Sequence, residues 1–362
     1  EQSARKFLND LEDGYTEQNI SLKNYIMYWL DSHKKEDIKA STYENKMAQI
    51  NKHILPYFQN VKLQDMAFKQ QFYQAFIDQM ADAGYSRSTI ENSHWILHAT
   101  MDLAVEEGKL KRNPAKTAKL KGKKRAKLDE WEFIPNEDVP LLLQAALADV
   151  KSGMAFEYYT FFYALFESGM RKGEACGLTW DDVDFENNVI DVNKAMDTQK
   201  LLFTSTKTAA SIRKIEMPQR VMTELKKLRK RQNENRFALG EKYNREMNLV
   251  FCRADGNPFP KSTLFNVFRR MQKNSGVIAG NKPDGTEVYF SIHATRHTHT
   301  AFCIQSNLHH AAIQERLGHG SIEVTMNIYA HVTKQTKNSS PKLYEEATAN
   351  IFENVQARGH FN

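Results

Sequence analysis

The chain has little of what marks secreted or membrane-spanning proteins. Its three cysteines, Cys176, Cys252 and Cys303, are widely spaced and odd in number. That argues against a disulfide framework and for a reducing, cytoplasmic setting. No apolar run approaches the roughly 20 residues needed to cross a bilayer, and "YYTFFYALF" at 158–166 suits a buried helix instead. The opening "EQSARKFLNDLEDGY" has neither an initiator Met nor an apolar signal region, which implies a chain trimmed upstream. Internal repeats and low-complexity segments are absent, and with only 16 Gly and 9 Pro the composition is that of an ordinary folding, soluble protein.

What is present is length and unevenly spread charge. At about 150 residues per domain, 362 residues imply two or three modules. The formal net charge is +6, yet residues 109–127, "KLKRNPAKTAKLKGKKRAK", carry ten Lys or Arg and no acid. Such a run repels itself, resists packing and attracts polyanions, so it reads as a linker that meets phosphate. A solvated tether without a ligand is the plainer alternative.

Before this run the pattern is helical. "SLKNYIMYWLDSH" sets Leu22, Tyr25, Ile26, Trp29 and Leu30 on one face, and "STYENKMAQINKHILPYF" opens at an N-cap Ser41 and ends near Pro56. "KQQFYQAFIDQMADAG" stops at Gly84, and "SRSTIENSHWILHATMDLAVEEG" runs to Gly108. A four-helix bundle is expected, with His94 and His98 on a polar helix face. After the linker, "IPNEDVPLLLQAAL" and "EYYTFFYALFESGM" continue as helices. "NVIDVNKA", "LLFTST" and "SIRKIEM" then predict one antiparallel sheet of about three strands. Helix resumes over 218–238, an Asp-Gly turn interrupts "NLVFCRADGNPF", and the chain from 261 onward is helical around a loop at 275–290. The fold class is therefore mainly α with a small antiparallel β-sheet.

Three separated patches carry the chemistry. "GMRKGEACGLTWDDVDF" holds Arg171 just past an apolar helix, "SIHATRHTHTAF" holds His293 and Arg296 three apart, and "LGHGSIEVTMNIYAHVT" holds His319 and Tyr329 ten apart. On a helix, a spacing of three gives His293 and Arg296 neighbouring places on one face. Paired guanidinium groups match the non-bridging oxygens of a phosphodiester in charge and geometry. A tyrosine of ordinary pKa, about 10, is a poor nucleophile unless a base takes its proton and cations favour the phenolate. Histidine is the natural base.

These patches resemble the three signature boxes of the tyrosine recombinase (phage integrase) family, especially the integrases of Gram-positive phages and conjugative transposons. The resemblance spans nearly the whole chain and implies an N-terminal linker remnant at 1–15 and a helical core-binding domain at 16–118. A basic interdomain linker at 119–134, an α+β catalytic domain at 135–341 and a tail helix at 342–362 would follow, the tail docking in trans or packing in cis. By resemblance, Tyr329 attacks the scissile phosphate to leave a 3′-phosphotyrosyl link, while Arg171 and Arg296 clamp the phosphate. Lys207, on a hairpin, protonates the departing 5′ oxygen, His293 helps accept the tyrosine proton, and His319 bonds a phosphate oxygen. Glu174 and Asp182 brace the first arginine and its helix. Lys119, Lys121, Lys123, Lys124, Arg125 and Lys127 follow the DNA backbone.

The family uses neither metal nor nucleotide, so no cofactor is expected. Expected partners are double-stranded DNA attachment sites, three further copies in a homo-tetramer that closes as C-shaped clamps and passes through a Holliday junction, and an excision factor, with no membrane. The setting would be the bacterial cytoplasm, at the nucleoid. Such integrases often carry a further N-terminal domain for arm-type sites, for which no room exists before residue 16.

Plainer readings compete at each position. Arg171 suits a cation closing a helix, and Ile322, Met326 and Tyr329 at i, i+4 and i+7 suit a packed face. Lys200 and Lys214 flank Lys207 as ordinary turn lysines. His297, His299, His309 and His310 hint at zinc, but no C-x-x-C accompanies them. For the whole chain, a DNA-binding regulator without catalysis and a type IB topoisomerase are the rival functions.

Overall fold

A computed structural model describes residues 20–34, 40–58, 60–68, 70–122, 133–205, 211–282 and 284–318. The chain divides into two compact units, Glu1–Asp129 and Glu130–Asn362.

The first unit is helical. Helix α1 (Leu22–Lys34) buries Leu22, Tyr25, Ile26, Trp29 and Leu30, the five residues whose spacing set them on one face. Helix α2 begins at Ala40, one residue before the expected cap, and runs to Gln49. The backbone then passes through a π-helical turn, Ile50–Ile54, into Leu55–Phe58, so Pro56 lies inside a helical segment rather than beyond one. Helices α3 (Gln70–Asp82) and α4 (Arg87–Glu106) complete the bundle. The Ser86 side chain caps α4 by accepting from the Thr89 N–H at 3.3 Å. His94 does not lie on a polar face. It is buried, and its Nδ1 pairs with the Tyr73 hydroxyl at 2.9 Å. His98 is the polar one, against Asp102 at 3.0 Å.

In the second unit, α5 (Asp138–Leu147) and α6 (Ala155–Ser168) are followed by the short α7 (Lys172–Cys176). Helix α6 is apolar nearly all round, as a core helix must be. Phe161, Phe162, Leu165 and Phe166 are buried, and Phe162 stacks on Phe268 at 5.0 Å between ring centres. The strands sort differently from the expected single sheet. Strands β1 (Val183–Asp184), β2 (Val189–Val192) and β5 (Arg213–Glu216) form one antiparallel sheet in the order β1-β2-β5. Strands β3 (Lys194–Asp197) and β4 (Leu202–Ser205), the latter "LFTS", form a separate hairpin. Gly177 explains that hairpin's place, since a Cβ there would lie 2.7 Å from the Ala195 carbonyl carbon, too close for any other residue.

Helices α8 (Gln219–Leu239) and α9 (Thr263–Ser275) follow. The stretch expected as a loop carries a two-stranded ladder, β6 (Gly280–Asn281) with β7 (Glu287–Val288). Helices α10 (Ala294–Gln305) and α11 (His310–Leu317) end the described part. Truncating the central aromatic, Phe162→Ala, should lower the stability of this unit by about 3–5 kcal/mol, read as a shift of its urea transition. A loss below about 1 kcal/mol would mean that the α6–α9 contact is not a core contact.

Candidate active site

Helix α6 ends on Gly169, whose φ of +66° is left-handed. A side chain here would also collide, since a Cβ would stand 2.6 Å from the His299 ring and 2.7 Å from Leu317. Glycine therefore serves twice, reversing the chain and allowing α10 and α11 to close in. Two residues on, Arg171 precedes α7 in an extended conformation. Its Nη1 donates to Glu174 Oε1 at 2.7 Å, while its backbone N–H donates to Glu174 Oε2 at 2.9 Å. Burial works to raise the Glu174 pKa, but the charge and hydrogen bonds of Arg213, then of Arg171, outweigh it and hold the carboxyl below the ordinary range.

Among the described residues Arg296 is the largest fully buried side chain, 2% exposed. Its guanidinium donates to two backbone carbonyls, Nη1 to Gly169 at 2.7 Å and Nη2 to Leu317 at 2.6 Å. No carboxylate bonds to it among the described residues. Burial, and then the neighbouring Arg171 charge, pull its pKa down to about 9, which leaves it a cation at neutral pH. A buried cation held only by neutral dipoles is costly unless an anion joins it. The opening for one is a cavity of about 270 Å³ lined by Met170, Lys172, Phe265, Ile292, His293 and Arg296.

His293 is exposed at the N-terminal end of α10, with its ring edge-on to His297 at 4.8 Å. The structure thus brings Arg171, Glu174, His293 and Arg296 to one corner. Asp182 does other work. It accepts from the Thr179 N–H at 2.9 Å and from Asn193 at 2.8 Å and pairs with Lys194, so it secures the turn after α7 rather than Arg171 itself. Lys207, His319 and Tyr329 lie outside the described residues, as do Lys123, Lys124, Arg125, Lys127 and the 342–362 tail. Of the basic run, the Lys119 backbone is held by the Gln74 side chain, which accepts from its N–H at 2.8 Å and donates to its carbonyl at 3.0 Å. Lys121 pairs with Asp78 at 3.0 Å.

The other histidines go separate ways. His299 is buried and pushed down to about 3 by burial first and the Arg316 charge second. Its Nε2 accepts from Arg316 Nε at 3.0 Å, which leaves Nδ1 to donate to the Phe166 carbonyl at 2.8 Å. His309 caps α11, accepting from the Ala311 N–H at 3.3 Å.

Residues 132–336 match the Phage integrase family, and residues 21–81 match the phage integrase N-terminal SAM-like domain. The chain belongs to the phage integrase family. Among its relatives in this family are a XerC-like tyrosine recombinase of Caldanaerobacter subterraneus, 26% identical over 94% of this chain and 87% of the relative. The ICEBs1 integrase of Bacillus subtilis is 29% identical over 85% of this chain and 78% of its own length. Among solved structures, the Tn1549 transposon integrase in complex with transposon right-end DNA aligns with a TM-score of 0.69 at 22% identity, covering 91% of this chain and all of that one. The same fold is seen in a lambda integrase dimer bound to a core site, with a TM-score of 0.61. The chain is a tyrosine recombinase of the type carried by Gram-positive prophages and conjugative elements.

Two arginines of this integrase corner escaped the sequence reading. Arg213 is buried and reaches Glu174 Oε2 at 3.0 Å, and Arg316 ties His299 to the carbonyls of Glu167 at 3.1 Å and Glu216 at 2.9 Å. A signal for the first existed, because Arg213 shares the inward face of β5 with Ile215, while Lys214 and Glu216 point out. Because the folded pKa of Glu174 is depressed, its stabilising effect is fully present above the ordinary glutamate value, about 4.3, and is lost as pH falls through the lower folded value. Glu174→Gln should therefore cost about 3 kcal/mol at neutral pH, and the gap to the unsubstituted chain should narrow below about pH 4. Urea denaturation at both pH values checks this, and an equal gap at each would remove the carboxylate from the account.

Proposed function

We propose that the chain is an integrase that cleaves and rejoins duplex DNA at attachment sites, moving a mobile element through a 3′-phosphotyrosyl intermediate. The observation that carries this reading is Arg296, a sealed cation with no bonded carboxylate among the described residues, set beside Arg171 and His293 at an open cavity. A phosphodiester supplies the missing anion, and a guanidinium fork meets two of its oxygens at once.

In this mechanism the Tyr329 oxygen attacks the scissile phosphorus and His293 helps to take up the phenolic proton. The P–O5′ bond breaks, Lys207 protonates the departing 5′ oxygen, and the energy of the broken linkage is kept in the phosphotyrosyl ester. His319 bonds a phosphate oxygen as charge builds, and the two arginines, fixed before DNA arrives, need little reorganisation to stabilise it. The 5′ hydroxyl of a partner strand reverses the sequence to rejoin. Four copies carrying out two such exchanges in turn would recombine a pair of sites, and a lambda integrase tetramer is known bound to a Holliday junction. Lys119, Lys121, Lys123, Lys124, Arg125 and Lys127 add backbone contacts. Each neutralised phosphate releases counterions and so steepens the fall of affinity with salt. Lys121 must exchange Asp78 for phosphate to join them. No divalent ion or nucleotide has a step in this scheme.

The deciding assay is incubation with duplex suicide substrates nicked near the crossover, without metal, followed by a denaturing gel. The unsubstituted chain should give a covalently shifted band, and its absence would favour a DNA-binding regulator. Tyr329→Phe should bind DNA normally and give no adduct, because only the nucleophilic oxygen is gone. Normal adducts from that variant would reject Tyr329. Arg296→Ala should slow cleavage by about two to three orders of magnitude with the fold retained, and a variant that merely unfolds would make Arg296 structural.

A further inference from the structure

Three guanidinium groups from three separate elements converge on the C-terminal end of α11. Arg213 Nε donates to the Arg316 carbonyl at 2.7 Å, Arg296 Nη2 to the Leu317 carbonyl at 2.6 Å, and Arg171 Nη2 to the Gly318 carbonyl at 3.4 Å. The last carbonyls of a helix lack partners within it and carry the negative end of its dipole, so cations are favoured there. Arg296 also lines the cavity, with the Arg171 charge beside it. Arg213 does not line that cavity. Its Nη2 instead holds Glu174 Oε2 at 3.0 Å, and its Nη1 holds the Ser211 carbonyl at 2.9 Å. Glu174 in turn grips Arg171 through its other oxygen at 2.7 Å.

We propose that Arg213 is a positioning residue for strand cleavage, joining the carboxylate that aims Arg171 to the helix end from which the chain passes directly into His319. One rigid guanidinium then sets the phosphate clamp and the C-terminal end of α11 in register. Lysine cannot replace it, because an ammonium lacks the planar fork that serves Glu174, Ser211 and Arg316 together. Arg213 touches no reacting atom in this scheme. It works through Arg171 and through the carbonyl row of α11, so its loss should leave DNA affinity largely intact while slowing the chemical step.

The inference rests on the recombinase reading, and the test separates the two. The probe is a nicked duplex bearing the sequence recovered by covalent capture with the unsubstituted full chain. Capture of nothing by that chain overturns both proposals at once. With capture established, Arg213→Met should lower the single-turnover cleavage rate constant on saturating DNA by about 100-fold, with DNA affinity changed by no more than about twofold. Arg213→Lys should recover only part of the rate. Glu174→Gln combined with Arg213→Met should be no slower than the slower single variant, since both act through Arg171. A merely structural residue would reduce the fraction of active molecules and leave the rate constant of the remainder unchanged. Should Arg213→Met fail to fold, Arg213→Lys carries the test, expected at least about 10-fold slow. A lysine variant as fast as the unsubstituted chain, a loss confined to the active fraction, or losses that multiply in the double variant would overturn the role of Arg213.

Discussion

Burial of the Arg296 guanidinium between the carbonyls of Gly169 and Leu317 organises this corner of the catalytic unit. A cation removed from water must be met by fixed dipoles or by an anion. The protein supplies the dipoles from two helix ends, those of α6 and α11, and leaves the anion to arrive. That arrangement explains why α6 must end on a left-handed glycine. A side chain at 169 would push away His299 and Leu317, and with them the carbonyl that holds the arginine. The apolar bulk of α6 fixes where its C-terminal end stands, so the packing of phenylalanines and the placement of the charged groups are one problem.

Around this centre the charges are arranged with unequal support. Arg171 has a carboxylate partner that also holds its backbone, whereas Arg296 bonds carbonyls alone among the described residues. Glu174 is shared by Arg171 and Arg213, so three cations stand near one bonded acid. The surplus of positive charge suits a ligand that is negative and that becomes more so during reaction. His299, one of the four histidines that hinted at zinc, is spent on holding Arg316 and the Phe166 carbonyl in a dry interior. Its role is to tie α10 to α6 and to the last turn of α11, which steadies the carbonyls that the arginines use.

Much of the fold was legible because its signals are local. The apolar face of α1, the stops at Gly84 and Gly108 and the apolar run of α6 all follow from periodicity and backbone preference within a few residues. Partnering was less legible. "LLFTST" has strand character, but nothing within it says that it pairs with β3 rather than joining β2 and β5. The structure pairs it with β3, which lies close against Gly177. His94 read as a surface residue because its position four before His98 looks polar, yet the hydroxyl of Tyr73 on another helix makes its burial acceptable.

By itself the sequence determined the helical character, the two-part organisation around a basic run, and the residue types able to bind and attack a phosphodiester, since the box resemblance is written in short stretches of chain. The tertiary structure decided which of those side chains meet. It gave Glu174 to Arg171 and Asp182 to Thr179, Asn193 and Lys194, and it brought in Arg213 and Arg316, which no spacing rule connects to residue 171. The reason is physical. Hydrogen bonds and ion pairs act over a few ångströms in space, and only the packing of α6, α10, α11 and β5 turns distances along the chain into distances across a site.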